Sequence, residues 1–313
     1  MKATLLARQA VRPWIESSVG PILLGVSGGS DSLALALATH REAKDRTVIP
    51  VVIDHALQTH SAEVAAQTAD KLKTIGFNQV EVIRINVVVT DGLEASARRA
   101  RYEAFNDVAA KYSSTTFFLG HTENDLAESV LLGLARGSGT RSLSGIAEVN
   151  GIFIRPFLRI TRDITENVCR ENSLEPWRDP HNEDRSFARV RVRREILPAM
   201  EADLGPGISE ALARSSRILR EDADALDHYA DQFLTHADPL SCDELAALPK
   251  AVRIRALRAL IYAAGAPQGS LGADHLAPIE ELVTGWHGQG PTSLPGGVKV
   301  ERISGRLSLS QQG

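Results

Sequence analysis

The chain has 313 residues, 43% hydrophobic and 24% charged, with a formal net charge of −4 and a pI near 6.2. That length suits two domains with a sizeable core, and no apolar run approaches a bilayer span, so no membrane role is expected. The mild acidity speaks against non-specific coating of DNA but leaves room for a local basic patch on RNA. Cys169 and Cys242 are far apart with no C-x-x-C, which predicts a reduced, cytoplasmic setting without a disulfide framework or a cysteine-built metal site.

The first segment has apolar residues at helical intervals (Leu5, Leu6, Ala10, Trp14) and too many arginines for a secretory signal. Ile22 to Val26 reads as a short buried strand, and Leu33 to Thr39 as a helix of strong formers. Between them lies Ser27-Gly28-Gly29-Ser30-Asp31-Ser32, a small-residue turn whose bare amides meet a helix N-terminus, with Ser30 or Asp31 as cap. Free N–H groups at the positive end of a helix dipole make a phosphate site. The turn lacks the lysine of the Walker loop and the spacing of the dinucleotide fingerprint.

Val48 to Asp54 is a second buried strand ending at Asp54-His55. Asp54 has two roles open to it: a contact to a nucleotide ribose or base edge, or a cap for the helix expected over 61–75. Val80 to Ile85 gives a third strand. A helix then runs to about Lys111, capped by Asp91 or Gly92, with Glu94 in its first turn and Arg98 and Arg101 sharing one face. For that face, a solvated ion-paired surface and a ligand contact both stand.

Thr116 to Gly120 is a fourth strand delivering His121, after which Asp125 and Glu128 fall i, i+3 on a helix at the carboxyl edge of the sheet. Two such carboxylates can hold Mg²⁺, bind an ammonium or accept a proton. Arg136 to Gly139 ends that helix in a loop. Ile152 to Arg155 is a candidate fifth strand, and Thr161 to Glu171 a helix with Arg162 and Asp163 at its start. Trp177 to Asn182 is turn chemistry. Arg185, Arg189, Arg191, Arg193 and Arg194 then crowd ten residues around Phe187, with only Asp184 and Glu195 in sequence to offset them, a pattern suited to an RNA backbone and a stacked base. Gly205-Pro206-Gly207 punctuates the chain before a long amphipathic helix, Ile208 to Leu234. Shorter helical patterns follow at 243–264 and 274–284, then a hairpin of Val298–Ile303 and Arg306–Ser310.

Ser27 to Ser32 matches the S-G-G-x-D-S signature of the PP-loop ATP pyrophosphatases. Together with Asp54-His55, Glu94–Tyr102, Gly120–Glu128, Arg136–Gly139, Arg155-Pro156 and Trp177–Arg193, it resembles the tRNA(Ile)-lysidine synthetases, over roughly residues 20–195. Gln58, Thr122 and Ser129 depart from the usual pattern. The resemblance implies an α/β fold with a parallel Rossmann-like (adenine nucleotide alpha hydrolase-like) sheet over 1–204 and a smaller, mainly helical tRNA-binding domain over 205–313. It implies ligation of free L-lysine to the wobble cytidine of a CAU-anticodon isoleucine tRNA, through a base adenylated by ATP, releasing AMP and pyrophosphate. Ser27, Gly28, Gly29, Ser30, Asp31, Ser32, Asp54, His55 and His121 would then hold ATP, with Mg²⁺ on Asp31 and Asp125. Asp31, Arg101, Asp125 and Glu128 would carry the chemistry. Arg98, Arg136, Trp177, Arg178, Arg185, Arg189, Arg191 and Arg193 would meet tRNA. A homodimer is an open possibility for its assembly. A tRNA thiolase with the same loop generally pairs cysteines, which Cys169 and Cys242 do not offer. A non-enzymatic nucleotide-binding module would not need this set of arginines and acids together, and an amidotransferase-type ligase would need an ammonia route of which there is no sign.

Overall fold

The computed structural model describes residues 2–56, 60–90, 92–137 and 139–311, in two compact units, Met1–Arg217 and Ile218–Gly313. Gln58, Asp91, Ser138 and the side chain of Glu94 lie outside the described residues. The first unit runs α1 (Lys2–Ser17), β1 (Ile22–Gly25), α2 (Ser30–Ala43), β2 (Val48–Asp54), α3 (Ser61–Ile75), β3 (Glu81–Arg84), α4 (Leu93–Lys111), β4 (Thr116–Leu119), α5 (Glu123–Ala135), α6 (Thr140–Leu143), β5 (Val149–Asn150), β6 (Phe153–Ile154) and α7 (Arg162–Glu171). A helical stretch closes it: α8 (Ala188–Arg191), a π-helical turn (Val192–Ile196) and α9 (Leu197–Leu204). α10 (Ile208–His236) follows.

Among the described residues the sheet order is β3-β2-β1-β4-β6-β5. Ile22 faces Val48 on one side and Thr116 on the other, and the four pairings up to β6 are parallel. The departure from an all-parallel sheet is β5, antiparallel to β6 at the edge. Strands covered on both faces need apolar residues at every position. Ile22, Leu24, Val52 and Phe118 accordingly pack with Leu33, Val168 and the buried stripe of α1, while Leu23, Ile49, Val51 and Phe117 face Phe105 and Val108 of α4. Successive residues point to opposite faces, so one strand feeds both cores.

From β1 the chain winds outward to β3, then crosses back to β4 on the other flank of β1. The strand order therefore reverses between β1 and β4, and in open α/β sheets the crevice beyond the carboxyl ends at that reversal is where ligands sit.

The second unit contains α11 (Cys242–Ala247), α12 (Lys250–Ala263) and α13 (Ala273–Thr284), with an antiparallel sheet of β7 (Thr292–Ser293), β8 (Val298–Ile303) and β9 (Arg306–Gln311). Leu245, Leu257, Ile261, Ile279, Val298 and Val300 form its core. Pro249 splits the helix expected over 243–264, since proline is disfavoured inside a helix but tolerated at its start. Ser304 and Gly305, at φ 50° and 79°, make the tight β8–β9 turn that the hairpin pattern predicts.

Phe117 is fully buried, with its ring centroid 4.4 Å from Phe105 and 5.5 Å from Phe153. Truncating it leaves a cavity between β4 and α4, so Phe117→Ala should cost about 3–5 kcal/mol in urea unfolding. A loss below about 1 kcal/mol would contradict this packing.

Candidate active site

A cavity of about 1460 Å³ opens at the carboxyl ends of β1, β2 and β4. It exceeds the size of ordinary small-molecule pockets, enough for a nucleotide together with a second reactant. Its floor is the turn after β1. Gly28 has φ +86°, and a Cβ there would stand 2.5 Å from Thr68 Oγ1, so this position takes only glycine without strain. The Ser32 hydroxyl donates to Gly29 O at 3.0 Å and accepts from Ser27 N–H at 3.2 Å, closing the turn on itself. Ser27, Gly29, Ser30, Asp31 and Ser32 line the cavity.

Gly29, not Ser30 or Asp31, is the N-cap of α2, and no side chain caps it. The reason is that Asp31 turns away: Oδ1 accepts a hydrogen bond from Thr165, and Oδ2 lies 3.5 Å from Arg162 Nε. The first amides of α2 are left without a side-chain partner, pointing at the cavity where an anion would sit. Burial raises the Asp31 carboxyl above its usual range, against the pull of Arg162.

Opposite this turn stands the loop after β4. A Cβ at Gly120 would lie 3.1 Å from the backbone of Asp31 and Ser32, so the two loops touch only because residue 120 has no side chain. Asp125 Oδ2 accepts from Thr122 N–H at 2.8 Å and from its hydroxyl at 3.0 Å, tying the start of α5. Asp125 Oδ1 accepts from Arg162 at 2.9 Å and Arg193 at 3.4 Å. Burial alone would raise this carboxyl, but Arg162, His121, the Thr122 amide and Arg193 outweigh it and hold it below the ordinary carboxylate range.

Glu128 corrects the sequence reading. It is fully buried, does not line the cavity, and meets arginines: Arg193 at 2.7 and 3.1 Å, Arg162 at 3.3 Å and Arg189 at 3.5 Å. As placed, it cannot touch a substrate and instead fixes guanidiniums that do face the cavity. Asp125, expected with Asp31 to hold Mg²⁺, shares its oxygens with Thr122, Arg162 and Arg193, as Asp31 shares its own with Thr165 and Arg162. Among the described residues no cluster of three His, Cys, Asp or Glu could hold a metal ion. Both carboxylates line the cavity beside the turn, where Mg²⁺ would take one or two protein oxygens and the rest from phosphate.

The 185–194 arginines are not uncompensated either. Arg189 and Arg193 stand i, i+4 across the π-helical turn and reach acids of α5, some sixty residues away in sequence; Arg189 also donates to Ser129 Oγ at 2.8 Å. Arg185 pairs with Glu195 at 3.4 Å, Arg194 with Glu183, and Arg191 donates to the carbonyls of Arg185 and Ser186 at 2.7 Å. Arg189, Arg193, Trp177 and Arg178 line the cavity, whereas Arg136, Arg185 and Arg191 do not.

Arg98 and Arg101 of α4 both line it. Arg98 lies 4.9 Å over the Tyr102 ring, and the Tyr102 hydroxyl accepts from buried Arg155 at 3.2 Å. Asp54 is buried, accepting from Ala56 N–H at 2.9 Å and from the Ser61 hydroxyl, yet it also lines the cavity, so both roles open to it remain compatible. His55 and His121 line it as well, each with a buried Nδ1 lacking a partner among the described residues. Burial, with the nearby arginines, drives the His121 imidazole down to about 4.

The residue that sequence reasoning undervalued is Arg162. It opens α7, where a cation opposes the helix dipole, and there it bridges Asp31, Asp125 and Glu128. An arginine in that unfavourable position was the one available sign that acids must surround it. Thr165, one turn later, had no such sign.

Comparison with known proteins agrees with this arrangement. A PP-loop domain model matches residues 4–200, and a TilS substrate binding domain model matches residues 240–308. The tRNA(Ile)-lysidine synthase of Streptomyces coelicolor is 46% identical over 299 residues, covering 93% of this chain and 85% of that one. That of Thermobifida fusca is 44% identical, covering 97% and 95%. In fold alone, the chain is similar to a U34-tRNA thiolase from Methanococcus maripaludis, with a TM-score of 0.58 and 16% identity over 70% of this chain and 80% of that one. The chain's two cysteines, Cys169 and Cys242, are both free and buried. With its phosphate turn, its facing arginines and near full-length identity of this order, the chain belongs to the tRNA(Ile)-lysidine synthase family of ATP-using PP-loop enzymes.

Proposed function

We propose that this chain joins the ε-amine of free lysine to the wobble cytidine of a CAU-anticodon isoleucine tRNA, using ATP and releasing AMP and pyrophosphate. The observation that carries the reading is one cavity in which the bare amides at the head of β1 face Arg98 and Arg101, with an arginine–carboxylate cluster at its side.

In the first step the cytosine carbonyl oxygen attacks the α-phosphate, and the bond to the β-phosphate breaks. The amides of the turn with Ser27, Ser30 and Ser32 hold the departing pyrophosphate. Arg101 offsets charge gathering at the α-phosphate, the kind of stabilisation that dominates phosphoryl transfer. Asp31 would hold Mg²⁺, which neutralises phosphate charge when bound. Arg189 and Arg193, kept in place by Glu128, extend this positive wall toward the RNA. In the second step the lysine amine attacks the activated ring carbon and AMP leaves. A lysine ammonium in water titrates at about pH 10.4, so it must shed a proton first. Asp125, a cavity-lining carboxylate of the cluster, meets that ammonium and takes its proton, while Glu128 stands behind it. Trp177 and Arg178 suit the anticodon nucleotides, an aromatic face and a cation beside the same opening.

Incubation with ATP, labelled lysine and a CAU-anticodon isoleucine tRNA transcript should place label in the RNA, one AMP and one pyrophosphate per lysine, with a methionine tRNA left blank. Label in neither RNA would overturn the reading.

Two variants separate the roles. Arg101→Ala should slow tRNA-dependent pyrophosphate release by about 10²–10³ in kcat, the usual cost of losing one preorganised charge donor. Glu128→Gln should depress pyrophosphate release and lysine incorporation together, because the arginines it fixes serve the first step. Loss of lysine incorporation alone, with normal pyrophosphate release, would make Glu128 a second-step base instead. Glu128→Gln should also lower stability by about 1–3 kcal/mol, since the half-buried guanidiniums lose one hydrogen-bonded carboxylate while Asp125 still faces Arg162 and Arg193.

His121 gives a pH test. Folding lowers its pKa from 6.5 to about 4. The unfolded chain therefore binds the proton more readily, and stability declines as pH falls from about 6.5 toward 4. Its ring resonances should show no titration between pH 8 and 5, and a midpoint near 6.5 would contradict the buried placement.

A further inference from the structure

We propose that Trp286 and Arg302 form a stacking platform for an unpaired base of the tRNA substrate. This rests on the reading above that the substrate is a tRNA. Residues 218–313 carry eight lysines and arginines against twelve aspartates and glutamates, so the whole net charge of the chain falls in this unit. An acidic surface gains little from counterion release along a phosphate backbone. Its grip on RNA has to come from contacts that do not depend on net charge. Base stacking is such a contact.

The chain has three tryptophans. Trp14 is half-buried against the core of its unit and Trp177 lines the active cavity, but Trp286 is exposed at 42% with no hydrogen bond from its indole N–H among the described residues. It follows the last turn of α13, in the sequence Gly-Trp-His-Gly-Gln-Gly-Pro over 285–291. That loop is held from within: His287 Nδ1 and Gln289 Nε2 lie 2.9 and 3.0 Å from Gly285 O, and Gln289 Oε1 accepts from His287 N–H at 2.8 Å. Arg302 of β8 donates to Leu282 O and Val283 O at 3.0 and 3.1 Å, the carbonyls that end α13, which anchors its guanidinium 5.6 Å from the Trp286 ring centroid. A planar cation thus stands beside a partly exposed indole. Both planes stack on nucleobases, and their preorganisation lowers the entropic cost of binding. The pair falls inside the segment matched by the TilS substrate binding domain.

The test compares full-length wild type with Trp286→Ala, Trp286→Leu and Trp286→Phe on an intact isoleucine tRNA transcript. Alanine and leucine should each raise KM for tRNA about tenfold to hundredfold, the share that one base–aromatic stack carries. kcat at saturating tRNA and KM for lysine should stay at wild-type values, phenylalanine should restore most of the loss, and the slope of log KM against log salt should not change. Leucine keeps apolar bulk without a π face, so a leucine variant equal to wild type would overturn the proposal. So would a wild-type KM in the alanine variant accompanied by loss of self-association, which would make the patch a contact between copies. If wild-type enzyme itself fails to lysylate the transcript, the functional reading fails first, and the two failures are told apart.

Discussion

The site depends on one guanidinium. Arg162 lies within 3.5 Å of carboxylates from three places: Asp31 at the start of α2, and Asp125 and Glu128 on α5. Those acids approach each other across the point where the sheet changes direction, and without a cation between them their mutual repulsion in a buried setting would push the loops apart. Taking three carboxylates out of water is unfavourable unless each is paired and hydrogen-bonded. Arg162, Arg189 and Arg193 supply that pairing, so charge within the cluster balances and the phosphate turn keeps its shape.

The same balance determines which groups remain for chemistry. Glu128 is spent on structure, and Asp125 keeps the cavity side while sharing its oxygens. Arg98 and Arg101 line the same cavity from α4, so on the proposed reading a nucleotide with its outer phosphates on the amides would turn its inner phosphate toward guanidiniums. On that reading the fold separates gripping the leaving group from assisting the reacting centre.

Much of this was legible beforehand. The strand over Val48–Asp54 and the helix over Ser61–Ile75 end where the sequence pattern puts them, because buried parallel strands read as unbroken apolar runs and glycine ends the helix at residue 76. The tight turn between β1 and α2 is legible in its glycines and hydroxyls. Elements of two residues, β5 and β7, are too short to leave a periodic signal, so the antiparallel edge went unread. The partners of Arg189 and Arg193 leave no local signal for a different reason: side chains sixty residues apart in sequence meet only through the fold. Local propensity offers Ser30 or Asp31 as the cap, whereas the half-buried Arg162 and the Thr165 hydroxyl claim the Asp31 carboxylate.

A crystal structure with a non-hydrolysable ATP analogue tests the central claim most directly. The account predicts β- and γ-phosphate oxygens on the amides between Gly28 and Ser32, with the α-phosphate turned toward Arg101 and away from the floor of the turn. An analogue bound with its triphosphate elsewhere, leaving those amides solvated, would contradict it.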